Sequence, residues 1–131
     1  MKAHLALLLI ALGLAQGQKT FTNPILDGNS ADPAVLFHNG YYYLTLSTDT
    51  EHEITIYKSP VLTNFRQAEA KVIYRAPPEY YDVWASELHV VDGELYLYFT
   101  QRTETKIHHM FAIKADDVNN PMGNWSYPAV E

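Results

Sequence analysis

The sequence has no cysteine. If it is secreted, it has no disulfide staples, and packing alone must hold it. Basic side chains are scarce: 9 Lys and Arg stand against 15 Asp and Glu, for a net charge of −6. That balance argues against nucleic acid and anionic membranes as partners and suits neutral substrates. Only residues 5–14 form a sustained apolar run, which is too short to span a hydrocarbon layer of about 30 Å. No segment beyond it carries the periodicity of a good amphipathic helix. There is no Gly-x-Ser-x-Gly elbow and no phosphate-binding loop. His108 and His109 are adjacent, so on a strand they point to opposite faces and cannot share a metal.

The N-terminus reads as an address rather than as structure. Lys2 precedes the apolar run, and Ala15-Gln16-Gly17 forms a small-x-small cleavage site, the pattern of a secretory signal over residues 1–17. A buried N-terminal helix is the competing assignment. The expectation is an extracellular domain over residues 18–131. Asn124-Trp125-Ser126 is an N-glycosylation acceptor, meaningful only for a secreted chain.

What the chain does have is short β-favouring runs between turn signals. Strands are predicted at 34–38, 41–47 and 53–59, with a shorter outer one at 72–74 near Phe65. Asn39-Gly40 marks a hairpin. After the Pro-rich connection 76–82 the pattern restarts, with strands at 87–91, 94–101 and 107–114 around an Asp92-Gly93 turn. Residues 119–126 read as a loop. Aligning the two turns gives an offset of 53 residues. Tyr43 then meets Tyr96, Leu44 meets Leu97, Ser47 meets Thr100 and Ile54 meets Ile107. Tyr57-Lys58-Ser59 meets Ile113-Lys114-Ala115 after a small insertion. Four short strands repeated at about 50 residues indicate an all-β fold of about two β-propeller blades. A single β-sandwich is the alternative. A propeller needs roughly four to eight blades, so the chain is expected to be a truncated piece of a longer protein, with assembly of several chains as the alternative.

The chemistry gathers around residues 23–37, NPILDGNSADPAVLF. Pro33 restricts Asp32 and biases it away from the helical region, which holds a carboxylate on stiff backbone at the mouth of a strand. By the 53-residue offset Asp32 corresponds to Ala85, within Val83-Trp84-Ala85-Ser86-Glu87. Asp32, Trp84 and Glu87 should therefore share one rim of the channel, flanked by loops 48–52 and 102–106. Two carboxylates and a flat aromatic suit the hydrolysis of a glycosidic bond, which needs an acid for the leaving oxygen and a carboxylate for water. On spacing alone simpler assignments hold. Asp32 reads as a turn-starting Asp-Pro, Glu87 as a solvated strand residue, and Trp84 equally as packing or as a sugar platform. Tyr41-Tyr42-Tyr43 reads as packing within a blade.

Several stretches in order resemble the N-terminal part of glycoside hydrolase family 43, the arabinofuranosidases, xylosidases and arabinanases. They are NPIL with ADPAV (23–35), NGYYYLTLST (39–48), ITIYKSPVLTNF (54–65), VWASELHVVDGELYLYFT (83–100) and NPMGNW (120–125). The resemblance implies a five-bladed propeller and an inverting mechanism with three carboxylates. The general base falls on Asp32. The pKa-tuning aspartate and the acid lie on later blades, and no residue here matches them. Trp84 falls on the pocket-lining tryptophan, Glu87 belongs to the same motif as a pocket candidate, and Asp49 falls on a loop bordering the sugar. Ser86 stands where many members have proline. The implied partner is an arabinan, arabinoxylan or xylan type polysaccharide or oligosaccharide. The intact parent should be a monomer, with no cofactor called for, no metal ligands specified, and no nucleic-acid or membrane partner. A non-catalytic sugar-binding propeller remnant is the rival reading.

Overall fold

A computed structural model describes residues 20–127. The expected signal segment lies outside the described residues. The described residues form eight strands: β1 (Ser30–His38), β2 (Tyr41–Thr48), β3 (Glu53–Ser59), β4 (Glu69–Arg75), β5 (Tyr81–Val91), β6 (Glu94–Arg102), β7 (His108–Ala115) and β8 (Trp125–Ser126). They make two antiparallel four-stranded sheets, ordered β1-β2-β3-β4 and β5-β6-β7-β8. Each sheet is a sequential meander, and no strand crosses from one to the other. That is the organisation of propeller blades. A Greek-key sandwich would exchange strands between its sheets.

The register bears out the internal repeat. Asn39-Gly40 and Asp92-Gly93 turn β1 into β2 and β5 into β6, all four residues at positive φ between 49° and 82°. Such φ values are what a tight two-residue hairpin demands, and Asn, Asp and Gly tolerate them. Tyr43 pairs with Lys58, and its counterpart Tyr96 pairs with Lys114. The insertion therefore lies before β7. Ile107 is not the partner of Ile54: Ile54 is buried in β3, whereas Ile107 is exposed in the loop ahead of β7.

Four strands differ from the sequence-based expectation, and β1 is the first: it begins at Ser30 rather than at residue 34. β4 runs over seven residues rather than three. Its Glu69, Lys71 and Arg75 are exposed on the sheet edge, where charge protects an unpaired strand and masks the β pattern. β5 begins at Tyr81, because bulges between Tyr81 and Trp84 and between Trp84 and Glu87 interrupt its alternation. The segment expected as a loop contributes the two-residue β8, which pairs with Lys114 and Ala115. Phe65 lies outside the strands and plugs a core.

The two sheets pack face to face. Tyr43, Ile54, Ile56 and Tyr74 from the first meet Val83, Leu88, Leu95, Leu97, Phe99 and Ile113 from the second. Full burial of each such side chain is worth roughly 1.5–3 kcal/mol. The opposite face of the first sheet is covered by the turn-rich opening segment: Ile25 and Leu26 lie on Leu44, Leu46 and Phe65. The Phe65 amide donates to the Ile25 carbonyl at 2.9 Å. Thus β2 is buried on both sides, which explains its nearly continuous apolar and small-polar run. The Tyr triplet divides accordingly. Tyr43 enters the inter-sheet core, Tyr42 lies against Phe37 and the second cluster, and Tyr41 sits exposed under the Lys58 ammonium.

Candidate active site

Both blades place a bulge near the start of their first strand. In β1 the register shifts between Ala31 and Ala34, and Asp32 takes φ +50°. The proline restriction led to an expectation of a residue outside the helical region. The structure goes further and puts Asp32 in the left-handed region, which Asp tolerates better than most residues. In β5 the equivalent Ala85 takes φ +52°. A bulge re-aims side chains and releases backbone groups from the ladder, and both effects are used here.

The Asp32 carboxylate accepts a hydrogen bond from the Ser47 hydroxyl at 3.0 Å. Ser47 Oγ in turn accepts one from the Ala85 amide at 2.9 Å. Two residues earlier on the same face of β2, the buried Thr45 hydroxyl donates to the Ser86 carbonyl at 2.7 Å. Backbone groups of the β5 bulge are thus satisfied by hydroxyls from the neighbouring blade. The Ser86 hydroxyl itself is buried and has no partner among the described residues.

Asp32, Ser47, Asp49 and Trp84 line one open cleft of about 300 Å³, with Asn29 and the Ser30–Ala31 backbone completing its wall. Asp49 is held by the Asn29 side-chain amide, which donates to Oδ1 at 2.6 Å. The loop that carries Asp49 is anchored at its far end. The Glu51 carbonyl accepts from the Val83 amide, and His52 bonds the Tyr80 carbonyl. Trp84 is 38% exposed, and one face of its indole stacks on His108 at 4.9 Å between ring centres. Behind this stack the buried Asp82 carboxylate receives a hydrogen bond from Arg102 Nε and lies 3.9 Å from His108 Nε2.

Of the four sequence-predicted residues, the structure brings Asp32, Asp49 and Trp84 to one cleft. Glu87 does not line it. The second β5 bulge intervenes between Trp84 and Glu87, and Glu87 pairs with His89 at 2.9 Å on an exposed surface of the second sheet. Sequence reasoning passed over Asn29, Ser47 and His108. Ser47 carried a signal, since its repeat partner is the hydroxyl residue Thr100. The other two are placed only by folding. Among the described residues no group of three His, Asp or Glu side chains converges as a metal would require.

The two blades thus bring a carboxylate and an exposed tryptophan to one cleft. The sequence model of glycosyl hydrolases family 43 matches residues 21–130, and the chain belongs to that family. The sheets are accordingly two blades of the five-bladed propeller that the resemblance implied. An extracellular exo-alpha-(1->5)-L-arabinofuranosidase of Streptomyces avermitilis is 27% identical over 113 residues, covering 82% of this chain and 23% of that protein. The protein of the same name from Streptomyces chartreusis is 34% identical over 83 residues, covering 60% and 25%. In three dimensions the chain resembles the alpha-L-arabinofuranosidase from Lactobacillus brevis, with a TM-score of 0.73 and 29% identity. That match covers 83% of this chain and 38% of that one. The chain thus spans about a quarter of the length of the curated relatives it matches.

Proposed function

We propose that this chain carries the water-activating half of a secreted, inverting glycoside hydrolase acting on arabinose- or xylose-containing plant cell-wall polysaccharides. Asp32 is the general base. The observation that carries the reading is its carboxylate, fixed by Ser47 on the wall of a cleft that also holds Trp84. Water between Asp32 and the anomeric carbon loses its proton to the carboxylate as its oxygen bonds to carbon. The glycosidic bond breaks on the opposite side, and the leaving oxygen takes a proton from a general acid. The anomeric configuration is inverted. Trp84 offers a flat apolar face to the sugar ring, and Asp49 accepts hydrogen bonds from its hydroxyls. The names of the curated relatives favour arabinose-releasing activity.

No residue of this chain matches the family's general acid or its pKa-tuning aspartate. The acid is assigned to later blades, and residues 18–131 alone are proposed not to turn over. In the whole protein Asp32→Asn should lower the rate on an aryl arabinofuranoside or xyloside about 10²- to 10⁴-fold, with circular dichroism and Tm unchanged. Unchanged activity would remove Asp32 from the base role. A second reading, a sugar-binding module without hydrolysis, draws on Trp84 alone. Calorimetric binding of arabino-oligosaccharides that Trp84→Ala abolishes, without turnover in the whole protein, would favour it.

A further inference from the structure

We infer that Ser47 is the positioning residue that ties the Asp32 carboxylate to the backbone of the neighbouring blade, beside the Trp84 platform. The inference rests on the reading of Asp32 as base and adds to it a residue that acts by holding that carboxylate.

Three observations carry it. Ser47 is buried in β2, where its hydroxyl has one proton to give and lone pairs to accept with. It gives the proton to Asp32 at 3.0 Å and accepts from the Ala85 amide at 2.9 Å. The Ala85 amide is available because the β5 bulge has taken it out of the ladder with β6. Ala85 directly follows Trp84, so one bulge sets both the aromatic wall and, through Ser47, the carboxylate opposite it. Thr45 holds the same bulge through the Ser86 carbonyl. If Ser47 is removed, the blades therefore stay joined while Asp32 loses its anchor. A hydrogen bond to an ionised carboxylate is among the stronger polar contacts. Ionisation of Asp32 draws the Ser47 proton toward it and makes Ser47 Oγ a better acceptor for the Ala85 amide.

The relay can be read without any turnover. Trp84-Ala85 is the single Trp–Ala step in the sequence, so labelling with carbonyl-¹³C tryptophan and ¹⁵N alanine isolates the Ala85 amide by nuclear magnetic resonance. Its proton shift should follow the ionisation of Asp32 as pH is varied. Asp49 is a second carboxyl group in the cleft, His108 stands behind Trp84, and Asp82 and Arg102 stand behind His108. Asp32→Asn leaves all four in place, and movement that survives this substitution belongs to them. The Asp32-dependent movement should be lost in Ser47→Ala and return in Ser47→Thr, which keeps the hydroxyl. An Ala85 amide that still follows Asp32 in Ser47→Ala overturns the inference. So does one that stays still in the unaltered protein while Asp32 titrates. In the whole enzyme Ser47→Ala should lower kcat about 10- to 100-fold with little change in KM, the signature of a misplaced rather than missing group, and Ser47→Thr should restore it. If Asp32→Asn leaves hydrolysis intact, the base assignment fails whatever the Ala85 amide does. The two failures are therefore separable.

Discussion

The two blades share a backbone and differ in what they hang on it. At equivalent positions Asp32 and Ala85 both sit in left-handed bulges, with φ +50° and +52°. The first blade places a carboxylate there, and the second places a methyl group. Ser47 and Thr100 are equivalent hydroxyls. Ser47 bonds the carboxylate of its own blade and the amide of the next, whereas Thr100 makes only a long 3.5 Å contact to the Trp84 carbonyl. The next pair of positions exchanges donor and acceptor. Asn29 donates to Asp49 in the first blade, and at the equivalent positions Arg102 donates to Asp82 in the second. The bulge is therefore a property of the repeat, and the proposed chemistry belongs to one copy. In the first blade the acid is on the loop and open to the cleft. In the second it is buried behind the aromatic wall.

That inversion yields the largest contrast in stability. Asp82 is 10% exposed at its side chain and Arg102 23%. Removing one member of such a pair leaves the other charge half-desolvated without its partner. Asp82→Asn should cost about 2–3 kcal/mol in denaturant unfolding and loosen the Trp84–His108 stack. Asn29→Ala, at the equivalent position but exposed, should stay within about 0.5 kcal/mol while weakening sugar binding through the freed Asp49. Equal stability losses at the two positions would erase the distinction between a structural and a cleft-facing pair.

A smaller effect tests how the blades are joined at their far end. Tyr74 of the first blade donates to the Gln101 side-chain carbonyl of the second at 2.8 Å, and Tyr127 donates to Tyr74 at 3.1 Å. Burial, followed by the Tyr127 contact, pushes the Tyr74 hydroxyl well above its ordinary value of 10.0. A folded-state value above the unfolded one stabilises fully below about pH 10. That stability is lost as pH rises beyond it toward the folded value. Tyr74→Phe strands a buried acceptor and should cost about 1–2 kcal/mol at neutral pH. It should also flatten the decline of stability above pH 10. The decline should not vanish, because burial raises the Tyr43 hydroxyl too. A variant that loses stability as steeply as the unaltered chain above pH 10 would show that Tyr74 is not the buried titrating group.

The hairpin turns, the repeat and the central strands were legible because each rests on local chemistry. Asn39-Gly40 and Asp92-Gly93 state their turns outright, and the alternation of Leu95, Leu97 and Phe99 states a buried face. Asp32 stood out through the family's motif, whereas the Asp-Pro pair alone read as a turn. What could not be read were features set by the ladder. The β5 bulges separate Glu87 from the cleft in a way that simple alternation cannot express. Asn29, Ser47 and His108 gain meaning only when the second blade stands beside the first. β4 was under-read because its charged edge residues obey the need to protect an unpaired strand rather than β propensity.

The bulge itself offers the finest test, because at Ala85 the expected sign is unusual. Glycine in a strand normally costs roughly 0.5–1 kcal/mol relative to alanine. An alanine held in the left-handed region is strained by roughly 1–2 kcal/mol, which glycine relieves. Ala85→Gly should therefore stabilise the protein by about 0.5–1 kcal/mol. The denaturant midpoint would rise at unchanged slope. The Ser47 contact is to the backbone amide and would survive. Asp32→Gly relaxes the same conformation in the first blade, but Asp tolerates it better and the substitution removes the Ser47 hydrogen bond, so a net loss is expected there. It should also remove the proposed activity of the whole protein with the carboxylate. A gain at Ala85 with a loss at Asp32 would mean that the Ser47–Asp32 hydrogen bond outweighs the strain. The carboxylate would then contribute to joining the blades as well as to the proposed chemistry. A loss at Ala85 would show that alanine is not strained in the left-handed bulge.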